Sequence, residues 1–273
     1  MRMTAEGLKE KALRTKRRIM HMARRAGSEG AHVGPSLSIS DIMTVLYGDI
    51  MNYKKEDPQW EDRDRCILSK GHACLGLYAP LIENGILSEK TGDTFNQPHT
   101  NLAGHPSGMG VPGIEHPSGS LGHGLSVGCG IALAGKVNGK DYKTYVIIGD
   151  GETEEGSVWE AAMFARKYKL GNLVVILDIN GFQYGGTTKE IMDMEPIEER
   201  WSSFGWNVIS VDGNDTEELR KALDKGNLKT DQPTCIAAYT VKGSGVSFME
   251  NNNDWHHAKI STEILDEALK ELV

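Results

Sequence analysis

The chain has 273 residues, of which 39% are hydrophobic and 25% charged, the balance of a globular protein long enough to bury a large core. Its net charge of -8 argues against a broad surface for nucleic acid or an anionic membrane. No apolar run approaches the roughly 20 residues of a membrane helix, and the charged start lacks the apolar segment of a secretory signal. The cysteines form no CxxC pair, so we expect neither zinc nor disulfides, and a reducing cytoplasm is the simplest compartment.

The first predicted element is a helix over residues 4–26, capped by Thr4, with apolar residues at helical spacing. Its basic residues are Arg14, Lys16, Arg17, Arg18, Arg24 and Arg25. A transit peptide or an RNA-binding arm would also be basic. The acids Glu6 and Glu10, and the lack of interleaved aromatic residues, favour a solvated helix face instead.

Two histidines follow where the local sequence restricts the backbone. His32 lies in a glycine- and proline-rich stretch, residues 30–38, that we predict to be a loop before a helix beginning near Ser40. His72 lies at the junction between a predicted strand over residues 65–69 and a predicted helix over residues 73–81. A loop histidine is most often solvated or locally hydrogen-bonded, so each residue alone is a weak signal.

The helical pattern then fails between residues 95 and 121, a length of about 25 residues that is typical of functional or disordered loops. This part of the chain contains His99, His105 and His116, and His123 follows it. A metal site is an alternative that their spacing disfavours. The next predicted helix, over residues 121–136, is rich in glycine, which indicates close packing by a neighbouring subunit or a cofactor.

The most informative pattern is a predicted strand-helix-strand unit in the middle of the chain. Residues 145–148 predict a buried parallel strand, residues 158–170 a helix ended by Gly171, and residues 173–177 a second buried strand. The later predicted elements are a helix near 195–203, a strand at 206–211, a helix opened by Asp215, a strand at 234–239 and a helix at 261–272. The alternation predicts an α/β fold in a single domain over residues 1–273.

Polar residues follow both strands of that unit. Asp150 stands between two glycines after the first strand, and Asn180 follows the second. Both tips lie at the sheet edge where parallel α/β sheets bind ligands, so we expect their oxygens to share a Mg²⁺ or Ca²⁺ ion with phosphate. Gly151 and the helix behind it offer N–H groups to an anion. A glycine-acid-glycine turn alone is common in loops, and Asn180 on the next strand strengthens the signal.

This Gly-Asp-Gly turn followed by Asn180 resembles the thiamine-diphosphate motif, and the surrounding sequence resembles the transketolase family, as the N-terminal, diphosphate-binding subunit of a split transketolase. Residues 69–73, Ser-Lys-Gly-His-Ala, match the family nearly letter for letter. Residues 104–106 and 119–122 match two further family loops. The resemblance covers essentially the whole chain but only the first half of a full-length transketolase. It implies the thiamine-diphosphate-binding fold, with helices on both faces of a mostly parallel sheet.

The resemblance also implies site residues. Mg²⁺ would be bound by Asp150, Asn180 and the backbone carbonyl of Phe182. The cofactor contacts would be His72, Gly119, Ser120, Leu121, Gly149, Asp150, Gly151, Glu152, Asn180 and His256. The catalytic set would be His32, His72, His105, His256 and Glu155, the last as a relay between active sites across a dimer interface. Flanking residues favour His256 over His257. The role of His123 stays open, and His99 and His116 are interpreted as structural.

The function implied is an enzyme that transfers a two-carbon ketol unit from a ketose, or its phosphate, to an aldose, as in the pentose phosphate pathway. Its cofactors would be thiamine diphosphate and Mg²⁺. Its partner would be a separate C-terminal subunit carrying the pyrimidine-binding domain and the activating Glu, in a cytoplasmic α2β2 assembly. Alternatives are a subunit of a deoxyxylulose-phosphate synthase or sulfosugar transketolase, or a non-catalytic binding protein of the same fold. The sugar is not specified by this half of the family sequence.

Overall fold

A computed structural model describes residues 2–107, 110–224 and 227–273. Its strands are β1 (Arg65–Leu68), β2 (Thr144–Gly149), β3 (Leu173–Ile179), β4 (Phe182–Gln183), β5 (Gly186–Thr187), β6 (Asn207–Asp212) and β7 (Thr234–Tyr239). Five of them form one parallel sheet in the order β1-β2-β3-β7-β6. The short strands β4 and β5 form an antiparallel hairpin of their own. The strand-helix-strand unit predicted in the middle of the chain is therefore confirmed, with β2 and β3 as neighbours.

The helices of the described residues are α1 (Ala5–Arg25), α2 (Val33–Ser38), α3 (Ser40–Val45), α4 (Cys74–Glu83), α5 (Glu89–Gly92), α6 (Gly124–Val137), α7 (Gly156–Lys167), α8 (Thr188–Ile191), α9 (Ile197–Ser203), α10 (Thr216–Ala222) and α11 (Thr262–Glu271). Side-chain caps begin several of them. Thr4 accepts the Gly7 N–H at the start of α1, and Asp215 accepts two N–H groups at the start of α10. In this part of the chain, no helix combines the length and apolar character needed to cross a bilayer.

The core is divided by the sheet into two layers, because successive side chains of a strand point to opposite faces. On β2, Tyr145 and Ile147 pack with the face that carries α1, α3 and α4. Val146 and Ile148 pack with the opposite face, which carries α6 and α7. All six residues of β2 are buried. The predicted α/β class, with a mostly parallel sheet and helices on both faces, is thus confirmed.

The loop predicted over residues 30–38 is wrong from Val33 onward, because residues 33–38 form α2. Pro35 lies in the first turn of this helix, where a missing N–H removes no intrahelical hydrogen bond. Every residue of α2 is buried, so packing overrides the poor helix propensity of Gly34. His32 precedes the helix, and the Ser36 hydroxyl donates to the His32 carbonyl at 2.6 Å.

Two predicted helix boundaries also require correction. The helix α7 ends at Lys167, before the predicted stop at Gly171, and Lys169 has a left-handed φ of 51°. Gly171 is instead required for close packing, because a side chain there would collide with the Thr230 carbonyl. The helix α6 begins after residue 121 because Gly122 has a φ of 83°, which does not belong to a right-handed helix.

Candidate active site

A cavity of about 290 Å³ opens at the carboxyl edge of the sheet, beside the ends of β1, β2 and β3. Most residues that the sequence analysis placed in a site line this cavity. They are His32, His72, His105, Gly119, Leu121, Gly149, Asp150, Gly151, Glu152, Asn180, Phe182 and His256. Segments from the whole length of the chain therefore meet at the sheet edge that the parallel topology predicts for a ligand.

Asp150 follows β2 and directs its carboxylate at the tip of β3. Its Oδ1 accepts the N–H of Gly151 at 2.9 Å, and its Oδ2 accepts the N–H of Gly181 at 2.7 Å. Burial, followed by the nearby Asp178 carboxylate, raises the pKa of Asp150 to about 7. A cation beside Asp150 would oppose both effects, because it favours the ionised carboxylate.

Asn180 is held in one orientation by its neighbours. Its Nδ2 donates to Asp178 Oδ2 at 2.8 Å, and its Oδ1 accepts the Phe182 N–H at 3.1 Å. Gly181 between them has a φ of 75°, the left-handed conformation that lets the chain turn at this point. The hydrogen bond from the Gly181 N–H to Asp150 links the two strand tips, and Asp150 and Asn180 line the same cavity.

Asp178 and Lys70 form a buried ion pair beneath the cavity that the sequence analysis did not identify. Asp178 is fully buried and accepts hydrogen bonds from four side chains. The donors are Ser38, Lys70, Asn180 and Thr240. This network connects the ends of β1, β3 and β7. The sequence contains no local signal for this ion pair, because Lys70 and Asp178 are 108 residues apart.

Glu152 is a third buried carboxyl group at this edge, and it connects the sheet to Gly122. It accepts the Ser69 hydroxyl, the Gly122 N–H at 2.9 Å and the Gly149 N–H at 3.2 Å. Burial raises its pKa despite these donors. Glu152 therefore ties Gly122 to the tip of β2.

Four histidines gather on the other side of the cavity, with His32 at their centre. The His32 ring centroid lies 5.3 Å from that of His72, 5.6 Å from His105 and 5.5 Å from His256. Burial lowers the pKa of His32 to about 4 and of His256 to about 3, and it lowers the pKa of His72 further. These imidazoles are neutral at pH 7, so each offers one N–H donor and one nitrogen acceptor.

Lys242 completes the cationic side of the cavity, and it too was missed from the sequence. Its ammonium group donates to Asn253 Oδ1 at 2.6 Å and lies 2.9 Å from His256 Nδ1. Burial, followed by Lys70, lowers the pKa of Lys242 to about 8. Two lysines in a half-enclosed cavity of this chain favour an anionic ligand.

Two predicted site residues lie outside this cavity. Ser120 lines a neighbouring, more open hollow together with His105, His116 and His123. Glu155 is exposed at the start of α7, where its side chain lies against Gly122. The structure thus brings the expected magnesium and cofactor residues together, with the exception of Ser120, and leaves Glu155 on the surface.

The geometry fits a diphosphate carried by a divalent cation. Asp150 and Asn180 supply the hard oxygen donors that such a cation prefers. Lys242, Gly149 and Gly151 line the same space. The fold and this site together define an α/β domain that binds a diphosphate-bearing cofactor at the end of a parallel sheet.

Comparison with known proteins specifies the class. Residues 9–272 match the family described as "Transketolase, thiamine diphosphate binding domain". The chain therefore belongs to the transketolase family and is a thiamine-diphosphate-binding domain, as the sequence resemblance indicated.

Individual relatives agree with this assignment. The chain is 40% identical to an apulose-4-phosphate transketolase subunit from Phocaeicola vulgatus, over 99% of this chain and 95% of the relative. It is 41% identical to the 6-deoxy-6-sulfo-D-fructose transketolase subunit SqwG of a Clostridium species, over 88% of each. The solved transketolase of Campylobacter jejuni superimposes with a TM-score of 0.91 at 30% identity, over 99% of this chain. This chain spans 43% of that solved chain.

Proposed function

We propose that this chain is the diphosphate-binding subunit of a two-subunit transketolase. The support comes from two relatives that are named as transketolase subunits and that the chain matches over 95% and 88% of their lengths. The remaining part of the active site, with the pyrimidine-binding domain and the activating Glu, would then come from a separate C-terminal subunit. Residues 1–273 would form one domain of the assembled enzyme.

Asp150, Asn180 and the Phe182 carbonyl would hold Mg²⁺, with the diphosphate on the cation and beside Lys242. His72, His256, Gly149, Gly151, Glu152 and residues 119–121 would contact or position the rest of the cofactor. When bound, thiamine diphosphate supplies the carbon nucleophile and the electron sink for breaking the bond next to a ketose carbonyl. The single observation that carries this assignment is the hydrogen bond from the Gly181 N–H to the Asp150 carboxylate, which joins Asp150 to the residue after Asn180.

The neutral histidines would act on the sugar. His32, His72, His105 and His256 present donors and acceptors to one cavity, so they are placed to hydrogen-bond sugar hydroxyls and move a proton at a substrate oxygen. Their depressed pKa values keep them neutral, which is the form that both accepts and donates. Donor and acceptor would be a ketose and an aldose, or their phosphates.

The surface of α6 and α7 supports an oligomer. The exposed apolar side chains there are Val137 at the end of α6, Met163 and Phe164 on α7, and Tyr168 directly after α7. Patches of this kind mark protein contacts. Glu155 lies at the start of α7, so a contact on this surface would bring it to an interface, where it would relay between active sites in an α2β2 assembly. The four cysteines are free and buried, in agreement with a cytoplasmic location.

The test is to co-express this chain with a candidate C-terminal subunit, purify the complex and assay ketol transfer. We expect transfer that requires both subunits, thiamine diphosphate and Mg²⁺. A complex that binds the cofactor and transfers no ketol unit would contradict the proposal. Apulose 4-phosphate and 6-deoxy-6-sulfo-D-fructose should be included as donors, because relatives carry those names. Preference for the sulfosugar would favour the alternative of a sulfosugar transketolase.

A further inference from the structure

One histidine outside the set assigned above lies against the cavity-lining His32. The ring centroid of His257 is 4.6 Å from that of His32, closer than those of His72, His105 and His256. After burial, His257 is the largest cause that lowers the pKa of both His32 and His105, so it lies near each of them. Its side chain is exposed, whereas His32 and His256 are partly buried. His257 therefore lies at the mouth of the histidine group.

The backbone fixes this position. Ala31 and Ala258 pair as an antiparallel bridge, with N–H to carbonyl distances of 2.9 and 3.0 Å. The bridge joins the two segments that carry His32 and His257. Gly30 has a φ of 70°, and a Cβ atom there would lie 2.9 Å from Cε1 of His257. The ring of His257 is thus packed into a defined place and is not a freely moving surface group.

The group of histidines is ordered from floor to mouth. His72 and His256 lie next to the cationic, cofactor-binding side, and His32 lies in the middle. His105 and His257 are the exposed members. A linear sugar with its reacting carbon at the cofactor would extend along this row, so its distal carbons would pass the mouth.

We propose that His257 is a specificity-determining residue that hydrogen-bonds an oxygen on the distal carbons of the sugar. This assignment rests on the proposed transketolase function. A neutral or charged imidazole donates to both candidate groups, a sugar hydroxyl or the terminal anion of a sugar phosphate. Both groups provide an oxygen acceptor on carbons beyond those that His32 reaches. A two-carbon aldehyde has no oxygen at that distance.

The test uses the assembled two-subunit enzyme with hydroxypyruvate as donor and three acceptors, namely glycolaldehyde, ribose and ribose 5-phosphate. His257→Phe keeps a ring against His32 and removes its hydrogen bonds. We expect the KM for a five-carbon acceptor to rise about tenfold relative to the KM for glycolaldehyde, the effect of one lost hydrogen bond. His257→Gln restores part of the discrimination. His21→Phe, on the exposed side of α1, is the matched control and changes neither KM.

The assays with the three acceptors distinguish the possible outcomes. A rise for ribose and its phosphate assigns a hydroxyl contact, and a rise for the phosphate alone assigns the anion. An unchanged KM ratio, or an equal rise for glycolaldehyde, overturns the assignment, because His257 would then act only through His32 or not at all. A wild-type complex without ketol transfer to any acceptor would refute the proposed function, a failure distinct from an active enzyme indifferent to His257→Phe.

Discussion

Two buried carboxylates near the ends of neighbouring strands differ in the number and charge of their hydrogen-bond donors. Asp178, within β3, accepts hydrogen bonds from four side chains, one of them the ammonium group of Lys70, and it does not line the cavity. Asp150, after β2, accepts two backbone N–H groups and faces the cavity. Both are buried, at 0% and 6% exposure. Burial therefore does not separate their roles, whereas the number and charge of their donors does.

Under the proposed function, the difference separates a carboxylate of the fold from a carboxylate of the ligand site. Asp178 has its counter-charge inside the protein, so it stabilises the junction of β1, β3 and β7. Burial, followed by the Asp178 carboxylate, raises the pKa of Asp150, and a bound cation would favour its ionised form. A site that is incomplete without its ligand costs stability, as functional sites commonly do.

The largest expected effect is on stability, from Asp178→Asn. The substitution leaves Lys70 buried without its counter-charge, so we expect the free energy of unfolding to fall by about 3–5 kcal/mol. Urea denaturation of the purified chain measures it. The double variant Lys70→Met, Asp178→Asn should recover part of the loss, because it removes the unpaired charge. A single variant as stable as wild type would show that the four donors do not hold the fold.

The next effect is on binding, from Asp150→Asn. We expect the Kd for thiamine diphosphate in the presence of Mg²⁺ to rise about 100-fold or more in the assembled enzyme, because one metal oxygen and its charge are lost. The free energy of unfolding should stay within about 1 kcal/mol of wild type, since relief of repulsion from Asp178 offsets a weakened hydrogen bond. Calorimetric titration with and without Mg²⁺ measures binding. Wild-type affinity in this variant would remove Asp150 from the metal site.

The smallest effect in this comparison comes from Ser38→Ala. Ser38 donates one hydrogen bond to Asp178 at 2.8 Å and does not line the cavity. Three side-chain donors to Asp178 remain, so we expect a loss of about 1.5 kcal/mol of stability. The Kd for the cofactor should be unchanged. A weakened Kd with normal stability would contradict the division of roles between the two carboxylates.

Sequence reasoning predicted the part of the molecule that repeats a local pattern. The strands β2 and β3, the cap at Thr4 and the turn at Asp150 follow from periodicity and glycine placement, and Asn180 follows from one strand-helix-strand unit. The residues it missed depend on long-range pairing. Lys70 meets Asp178, and Lys242 meets His256, only after distant segments fold together.

The helix α2 and the hairpin of β4 and β5 were missed for a different reason. Residues 33–38 contain glycine and proline, which predict a loop, and burial of every side chain overrides that preference. The hairpin strands have two residues each, too few for any alternation to show. No sequence pattern distinguishes a role for His257 from that of the adjacent His256. The proximity of His257 to His32 depends on the bridge between Ala31 and Ala258.

The position of β7 has a consequence for synthesis of the protein. This strand is the last of the sheet to be translated, yet it lies between β3 and β6, and β6 pairs with no other strand of the described residues. A chain emerging from the ribosome therefore holds β6 without a neighbour until residue 239 is free, and it lacks Lys242 and His256 until later still. A second polypeptide that bound during translation would therefore meet a half-built pocket.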